Sequence, residues 1–242
     1  MTAIGIRMRA IAFITMFFGI CTCVAAQGTN VHAKQSNKAV KIVAFYGDST
    51  IRGYKAHSGA QVIKSTPQAF AEAISPALPI VVRNEGADSS RVEHLLAGTD
   101  GRHAAWREYL PSSGVDIVVI NHASKNGNPV GKYKEDMRTA LKLARENGKF
   151  VILMTPNPIS EGGLEAYVEA MRQLAAEEKV PLIDVFRYLK NYMARTGSSI
   201  DDLVPDGYHP ADEVYVLIGE YAAKEFQKIA RQIEKRGKRR AG

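Results

Sequence analysis

The chain has 242 residues, a formal net charge of +7, 45% hydrophobic content and two cysteines. Setting the N-terminal segment apart leaves about 215 residues, ample for one buried core and short for two, so one domain is expected. Arg7 and Arg9 supply two of the charges and residues 231–240 hold six basic side chains against Glu234, which leaves a nearly neutral body; without interleaved aromatic residues in the basic stretch, nucleic acid is not an expected partner.

In chain order, Arg7 and Arg9 precede an uncharged apolar run over 10–26 that closes on Val24-Ala25-Ala26. A basic start, an apolar centre and small residues before Gln27 describe a secretory signal removed after residue 26. A single membrane anchor is the rival reading, but no basic stop-transfer cluster follows the run. The expected destination is therefore periplasmic or secreted, with membrane contact only through the signal before cleavage. Cys21 and Cys23 both lie inside this segment, so the mature chain must hold its core without disulfides. Residues 27–38 are polar and aperiodic, a short linker; 39–236 form the domain; 237–242 are a basic tail. That tail reads first as a solvated helix end favoured by the helix dipole, and second as a polyanion-binding segment.

Four short β-branched runs follow, at 40–46, 80–82, 116–120 and 150–154, with a weaker fifth at 182–185. Continuous apolar runs too short for helices are expected of strands buried on both faces. Between them, Tyr133, Met137, Ala140, Leu141 and Ala144 share a helical face, ended by Gly148, and Leu164, Tyr167, Val168, Met171, Leu174 and Ala175 share another. A last helix from about residue 211 carries Val214, Leu217, Ile218, Tyr221, Phe226, Ile229 and Ile233 on one stripe. Strand alternating with helix predicts an α/β fold: a three-layer α/β/α sandwich around a five-stranded parallel sheet, flavodoxin-like. Ligands in such folds bind at the carboxyl ends of the strands. The residues there are polar: Gly47-Asp48-Ser49, Asn84-Glu85-Gly86, Asn121-His122-Ala123 and Thr155-Pro156-Asn157-Pro158.

Ser49 sits where the first strand gives out, after a glycine that lets the chain turn. It reads equally as a nucleophile and as a capping residue of a turn, and as a nucleophile it needs a base. The candidate base is in "VPDGYHP", where Asp206 can fix one nitrogen of His209 and leave the other for a serine proton. The plain alternative is a capped loop before the final helix, with Pro210 in its first turn. The six histidines are scattered, and no metal-binding or phosphate-binding motif is present.

Four blocks in order, "FYGDST", "NEGADSSRVEHLLAG", "DIVVINHASKN" and "DGYHP", resemble the SGNH (GDSL-type) hydrolases, and "TPNP…YVEAMRQLA…VPLIDVFRYL" is similar to an exported bacterial subset of them. The resemblance implies an α/β/α serine esterase with Ser49 as nucleophile, His209 as base and then acid, and Asp206 orienting it, with no cofactor. It also implies an oxyanion hole from the Ser49 and Gly86 N–H groups and an Asn side chain. Where the family pattern reads Gly-x-Asn-Asp, this chain has Ala123-Ser124-Lys125-Asn126. Three readings stand: Asn126 donates, Lys125 donates, or the hole is a donor short; Asn126 is preferred. Asp48, His122 and Asn157 are the candidates for substrate contact. Asp48 also suits a loop-holding role, His122 a structural hydrogen bond, Asn157 a rigid turn, and Trp106 the core. The expected substrate is a small-molecule or carbohydrate ester, an O-acetyl group foremost. An O-acyltransferase or a non-catalytic glycan- or partner-binding protein on the same fold are the alternatives.

Overall fold

The computed structural model describes residues 40–75, 78–122 and 128–241, with side chains as far as Ile233. The expected signal and linker lie outside these residues. Five parallel strands make one sheet in the order β2-β1-β3-β4-β5: β1 (Lys41–Gly47), β2 (Ile80–Gly86), β3 (Ile117–Ile120), β4 (Phe150–Met154) and β5 (Leu182–Ile183). Helices α1 (Ser49–Arg52) and α2 (Thr66–Ile74) follow β1, and α3 (Val92–Ala97) and α4 (Trp106–Ser112) follow β2. Helix α5 (Val130–Glu146) follows β3, α6 (Glu165–Glu177) follows β4, and α7 (Val185–Thr196), α8 (Ile200–Leu203) and α9 (Asp212–Ala241) follow β5.

The period-two alternation of a strand divides the core between the two sheet faces. Ala44, Tyr46, Val118, Ile120, Val151 and Leu153 face one layer, filled by Leu95, Trp106, Leu110, Met137, Leu141 and Met171 from α3 to α6. Val43, Phe45, Val119, Ile152 and Met154 face the other, filled by Ile51, Phe70, Leu189, Val214, Ile218 and Phe226 from α1, α2, α7 and α9. Both faces are covered, which gives the expected three-layer α/β/α sandwich and explains why the strands read as unbroken apolar runs. In β1, Val43 through Tyr46 are fully buried.

Several boundaries differ from the sequence expectation. Strand β2 runs on through Asn84 and Glu85 to Gly86, paired with β1 as far as Gly47–Gly86; polar residues continue a strand when a buried neighbour supplies the ladder. Val40 lies outside β1, 55% exposed. Asp116 precedes β3, and its carboxylate accepts from the Ile42 N–H and Lys41 Nζ, tying the start of β3 to β1. Strand β5 is two residues long, because Asp184 caps α7 and draws Val185 into that helix. Helix α9 begins at Asp212, two residues after Pro210, with Asp212 and Glu213 in its first turn, where the helix dipole favours them. Ile233 ends its stripe in solvent, 46% exposed.

The strand order reverses direction beside β1: the chain leaves β1 toward β2 on one side, then crosses to β3 on the other. Such a switch point opens a crevice beyond the strand ends, and Ser49 follows β1 directly into it. Trp106 anchors the layer beneath. It is fully buried, its indole N–H donates to the Ala140 carbonyl at 3.0 Å, and its ring meets the Tyr46 ring edge-on at 4.7 Å. Trp106→Ala removes this packing and the indole hydrogen bond, at an expected cost of about 3–5 kcal/mol. Urea unfolding checks this, with a wild-type midpoint counting against the assignment.

Candidate active site

Ser49 is held by its predecessors. Asp48 caps α1: its Oδ1 accepts from the Thr50 N–H at 2.8 Å and the Thr50 hydroxyl at 2.7 Å. The chain must fold sharply back between β1 and α1, and Gly47 permits it, since a Cβ there would lie 2.4 Å from Ile51 Cγ1. Asp48 is therefore the loop-holding residue rather than a substrate contact. Desolvation pushes its carboxyl above the ordinary carboxylate range, despite the Thr50 hydrogen bonds and the field of His209. The Ser49 N–H, at the start of the helix, has no partner among the described residues.

The loop 204–211 brings the imidazole across. Ser49 Oγ lies 2.9 Å from His209 Nε2, and His209 Nδ1 lies 2.7 Å from Asp206 Oδ2. Asp206 Oδ1 also accepts the N–H groups of Tyr208 at 3.0 Å and His209 at 2.7 Å. With Asp206 ionised, Nδ1 carries the proton and Nε2 is left to accept from the serine O–H. Burial raises the Asp206 pKa, but the hydrogen bonds from the His209 N–H, the His209 ring and the Tyr208 N–H outweigh it and hold the carboxyl below its usual range.

Two substrate-contact candidates have other partners. Asn157 is buried, and its amide donates to the Pro158 carbonyl at 2.9 Å and the Tyr208 carbonyl at 3.1 Å. It holds the loop next to His209. His122 is buried at the end of β3, with Nε2 3.1 Å from Ser90 Oγ and no described partner for Nδ1. Burial pushes its pKa down to about 3, so the ring is neutral.

Gly86 departs from expectation. Its N–H donates to Asn84 Oδ1 at 3.0 Å, so it is not open as the Ser49 N–H is. The glycine serves close approach instead: a Cβ there would lie 2.2 Å from the Arg52 N, so α1 rests on the end of β2. Lys125 and Asn126 lie outside the described residues.

Three contacts went unread in the sequence. Asn84 Nδ2 reaches the Ile51 carbonyl at 2.9 Å and Ser65 Oγ at 3.2 Å, pinning α1 and the start of α2 to β2. Arg102 donates to the Gly86 carbonyl at 2.7 Å and the Asn84 carbonyl at 2.5 Å. The Tyr54 ring stacks on His209, centroids 4.3 Å apart. Asn84 stood out as a polar residue at a strand end; Arg102 and Tyr54 carried no signal, because their partners are distant in sequence.

Asp206 makes the site acid-sensitive. A carboxylate whose pKa is lowered by folding contributes stability above its unfolded pKa, about 4, and loses it as pH falls through the lower folded value. The stability gap between wild type and Asp206→Asn is expected to shrink on acidification from pH 7 to 3, measured by urea midpoints; a constant gap would contradict the assignment.

Residues 45–217 match the model of the GDSL-like lipase/acylhydrolase family. No curated protein sequence matches the chain. Among solved structures, the chain is similar to an acetylxylan esterase from Geobacillus stearothermophilus, with 20% identity, a TM-score of 0.62, and coverage of 76% of this chain and 93% of the other. It is also similar to a G-D-S-L family lipolytic protein from Veillonella parvula DSM 2008, with 19% identity, a TM-score of 0.61, and coverage of 78% and 99%. A third, a G-D-S-L family lipolytic protein from Desulfitobacterium hafniense DCB-2, has 20% identity, a TM-score of 0.59, and coverage of 76% and 99%. These likenesses carry the fold, and the family match spans most of the chain and takes in Ser49, Asp206 and His209. The chain belongs to the GDSL-like lipase/acylhydrolase family, and it is a serine ester hydrolase by class.

Proposed function

We propose that the protein hydrolyses O-acyl esters of carbohydrates or small molecules, acetyl esters foremost, through an acyl-serine intermediate on Ser49. One observation carries this reading: the continuous line from Ser49 Oγ through His209 to Asp206, at 2.9 and 2.7 Å. His209 Nε2 takes the hydroxyl proton as Ser49 Oγ attacks the ester carbonyl. The negative charge that develops on the carbonyl oxygen falls beside the open Ser49 N–H. The Gly86 N–H joins as a donor only by giving up Asn84. As the tetrahedral intermediate collapses, His209 returns the proton to the departing alcohol, and water then repeats the sequence on the acyl-enzyme. Asp206 keeps the proton on Nδ1 throughout and stabilises the imidazolium.

The acetyl preference draws support from the acetylxylan esterase whose fold the chain shares. Two catalytic mutants of that esterase replace a serine and a histidine with alanine. The apolar run after Arg7 and Arg9, closing on small residues, supports export, and a cell-surface or extracellular ester is the substrate that fits this reading.

Ser49→Ala is expected to remain folded and to lose at least about a thousandfold in kcat on an aryl acetate. A fluorophosphonate probe is expected to label Ser49 in the wild type, and not after His209→Ala. An active Ser49→Ala protein, or folded wild type that resists the probe, would end the proposal. A panel of acetyl, butyryl and longer aryl esters is expected to show kcat/KM highest for acetyl; a rise with chain length overturns the acetyl preference alone.

A further inference from the structure

The His209 ring is held at its two nitrogens, and a third contact controls the direction its plane faces. The Tyr54 ring lies against it with centroids 4.3 Å apart and an interplanar angle of 29°. The placement of Tyr54 is tied to the nucleophile itself. Gly53, at φ 91°, turns the chain back after α1, and the Tyr54 N–H then donates to the Ser49 carbonyl at 2.9 Å. On its other side the Tyr54 carbonyl accepts the Tyr215 hydroxyl, from the first turns of α9, at 2.7 Å. The contacts close a circuit: Ser49 backbone to Tyr54, Tyr54 ring to His209 ring, His209 Nε2 back to Ser49 Oγ.

The segment beyond Tyr54 strengthens this clasp. Tyr54 and Gln61 form an antiparallel bridge, the Gln61 amide donates to the Arg52 carbonyl at 3.0 Å, and Lys55 pairs with Asp212 at 3.1 Å. His57 Nε2 lies 3.0 Å from the Pro205 carbonyl, at the start of the loop that carries Asp206 and His209. The excursion therefore grips the loop on both sides of the imidazole. The Tyr54 hydroxyl makes no hydrogen bond among the described residues, so the ring face is the working part.

We propose that Tyr54 is a positioning residue for His209: its ring fixes the imidazole plane so that Nε2 stays aimed at Ser49 Oγ, and its π-face stabilises the imidazolium formed as the serine proton is taken. This rests on reading His209 as the base. A cation gains most over an aromatic face when partly desolvated, and that gain appears only as charge develops. The loss therefore falls on kcat rather than on KM.

The test compares Tyr54→Leu and Tyr54→Phe in the full chain. With an aryl acetate, Tyr54→Leu is expected to lose about tenfold in kcat with little change in KM, while Tyr54→Phe keeps wild-type kinetics. NMR of isotope-labelled histidine gives a readout independent of activity, because protons over an aromatic face resonate upfield. The His209 ring protons are expected upfield in the wild type and Tyr54→Phe, and shifted downfield in Tyr54→Leu. A Tyr54→Leu enzyme with wild-type kcat overturns the inference, as does a Tyr54→Phe enzyme as slow as Tyr54→Leu. Should the wild type resist phosphonylation at Ser49, the hydrolase reading fails; the ring resonances then decide by themselves, and positions unchanged in Tyr54→Leu overturn the stack.

Discussion

The hydrogen bond between Ser49 Oγ and His209 Nε2 spans 160 positions of sequence and 2.9 Å of space. Its geometry inherits every error in the packing between β1 and the loop before α9. A serine hydroxyl is useful only while a base stays within hydrogen-bonding reach, so the surrounding structure has to hold two unrelated segments to a fraction of an ångström. On one side stands β1, whose residues from Val43 to Tyr46 are fully buried, with a capped helical turn locked over its end. On the other, Asp206 gathers two backbone N–H groups and the imidazole, and Asn157 holds the Tyr208 carbonyl.

The sheet supplies the rigidity. Val43 to Tyr46 are packed on both faces, so β1 cannot shift without disturbing two core layers at once. The side chains of His209 and Asp206 lie where that packing ends, 19% and 16% exposed. Asn84 and Arg102 brace the neighbouring edge. The Asn84 side chain binds α1, the start of α2 and the Gly86 N–H, while Arg102 binds the carbonyls of Asn84 and Gly86. The end of β2 is thereby fixed by hydrogen bonds where apolar packing gives out.

Histidines in this fold show how environment assigns a role. His103 is buried between Asp100 and Glu85, and although burial alone lowers its pKa, the hydrogen bonds to both carboxylates outweigh that and raise it. Its ring bridges the loop before α4 and β2. His122 is buried with no carboxylate in contact and is held neutral. His209 differs from both: one nitrogen meets a carboxylate and the other a serine hydroxyl, and its edge meets solvent. This arrangement leaves Nε2 placed to accept the serine proton and return it.

What the sequence determined by itself was local. Buried parallel strands announce themselves as short β-branched runs, and the helical faces of α5 and α6 follow from a 3.6-residue period. The Asp48 cap and the Asp206–His209 spacing likewise depend on residues within three or four positions of each other. Even the Trp106 core placement follows from its size and apolar surface. Tertiary structure decided what depends on distances between segments: that His209 reaches Ser49, that the Asn157 amide donates to the Tyr208 carbonyl, that the Gly86 N–H turns to Asn84, and that Tyr54 covers the imidazole. Periodicity and capping are written within a few residues of chain, whereas a hydrogen-bond or stacking partner more than a hundred residues away is chosen only when packed layers bring the two side chains together.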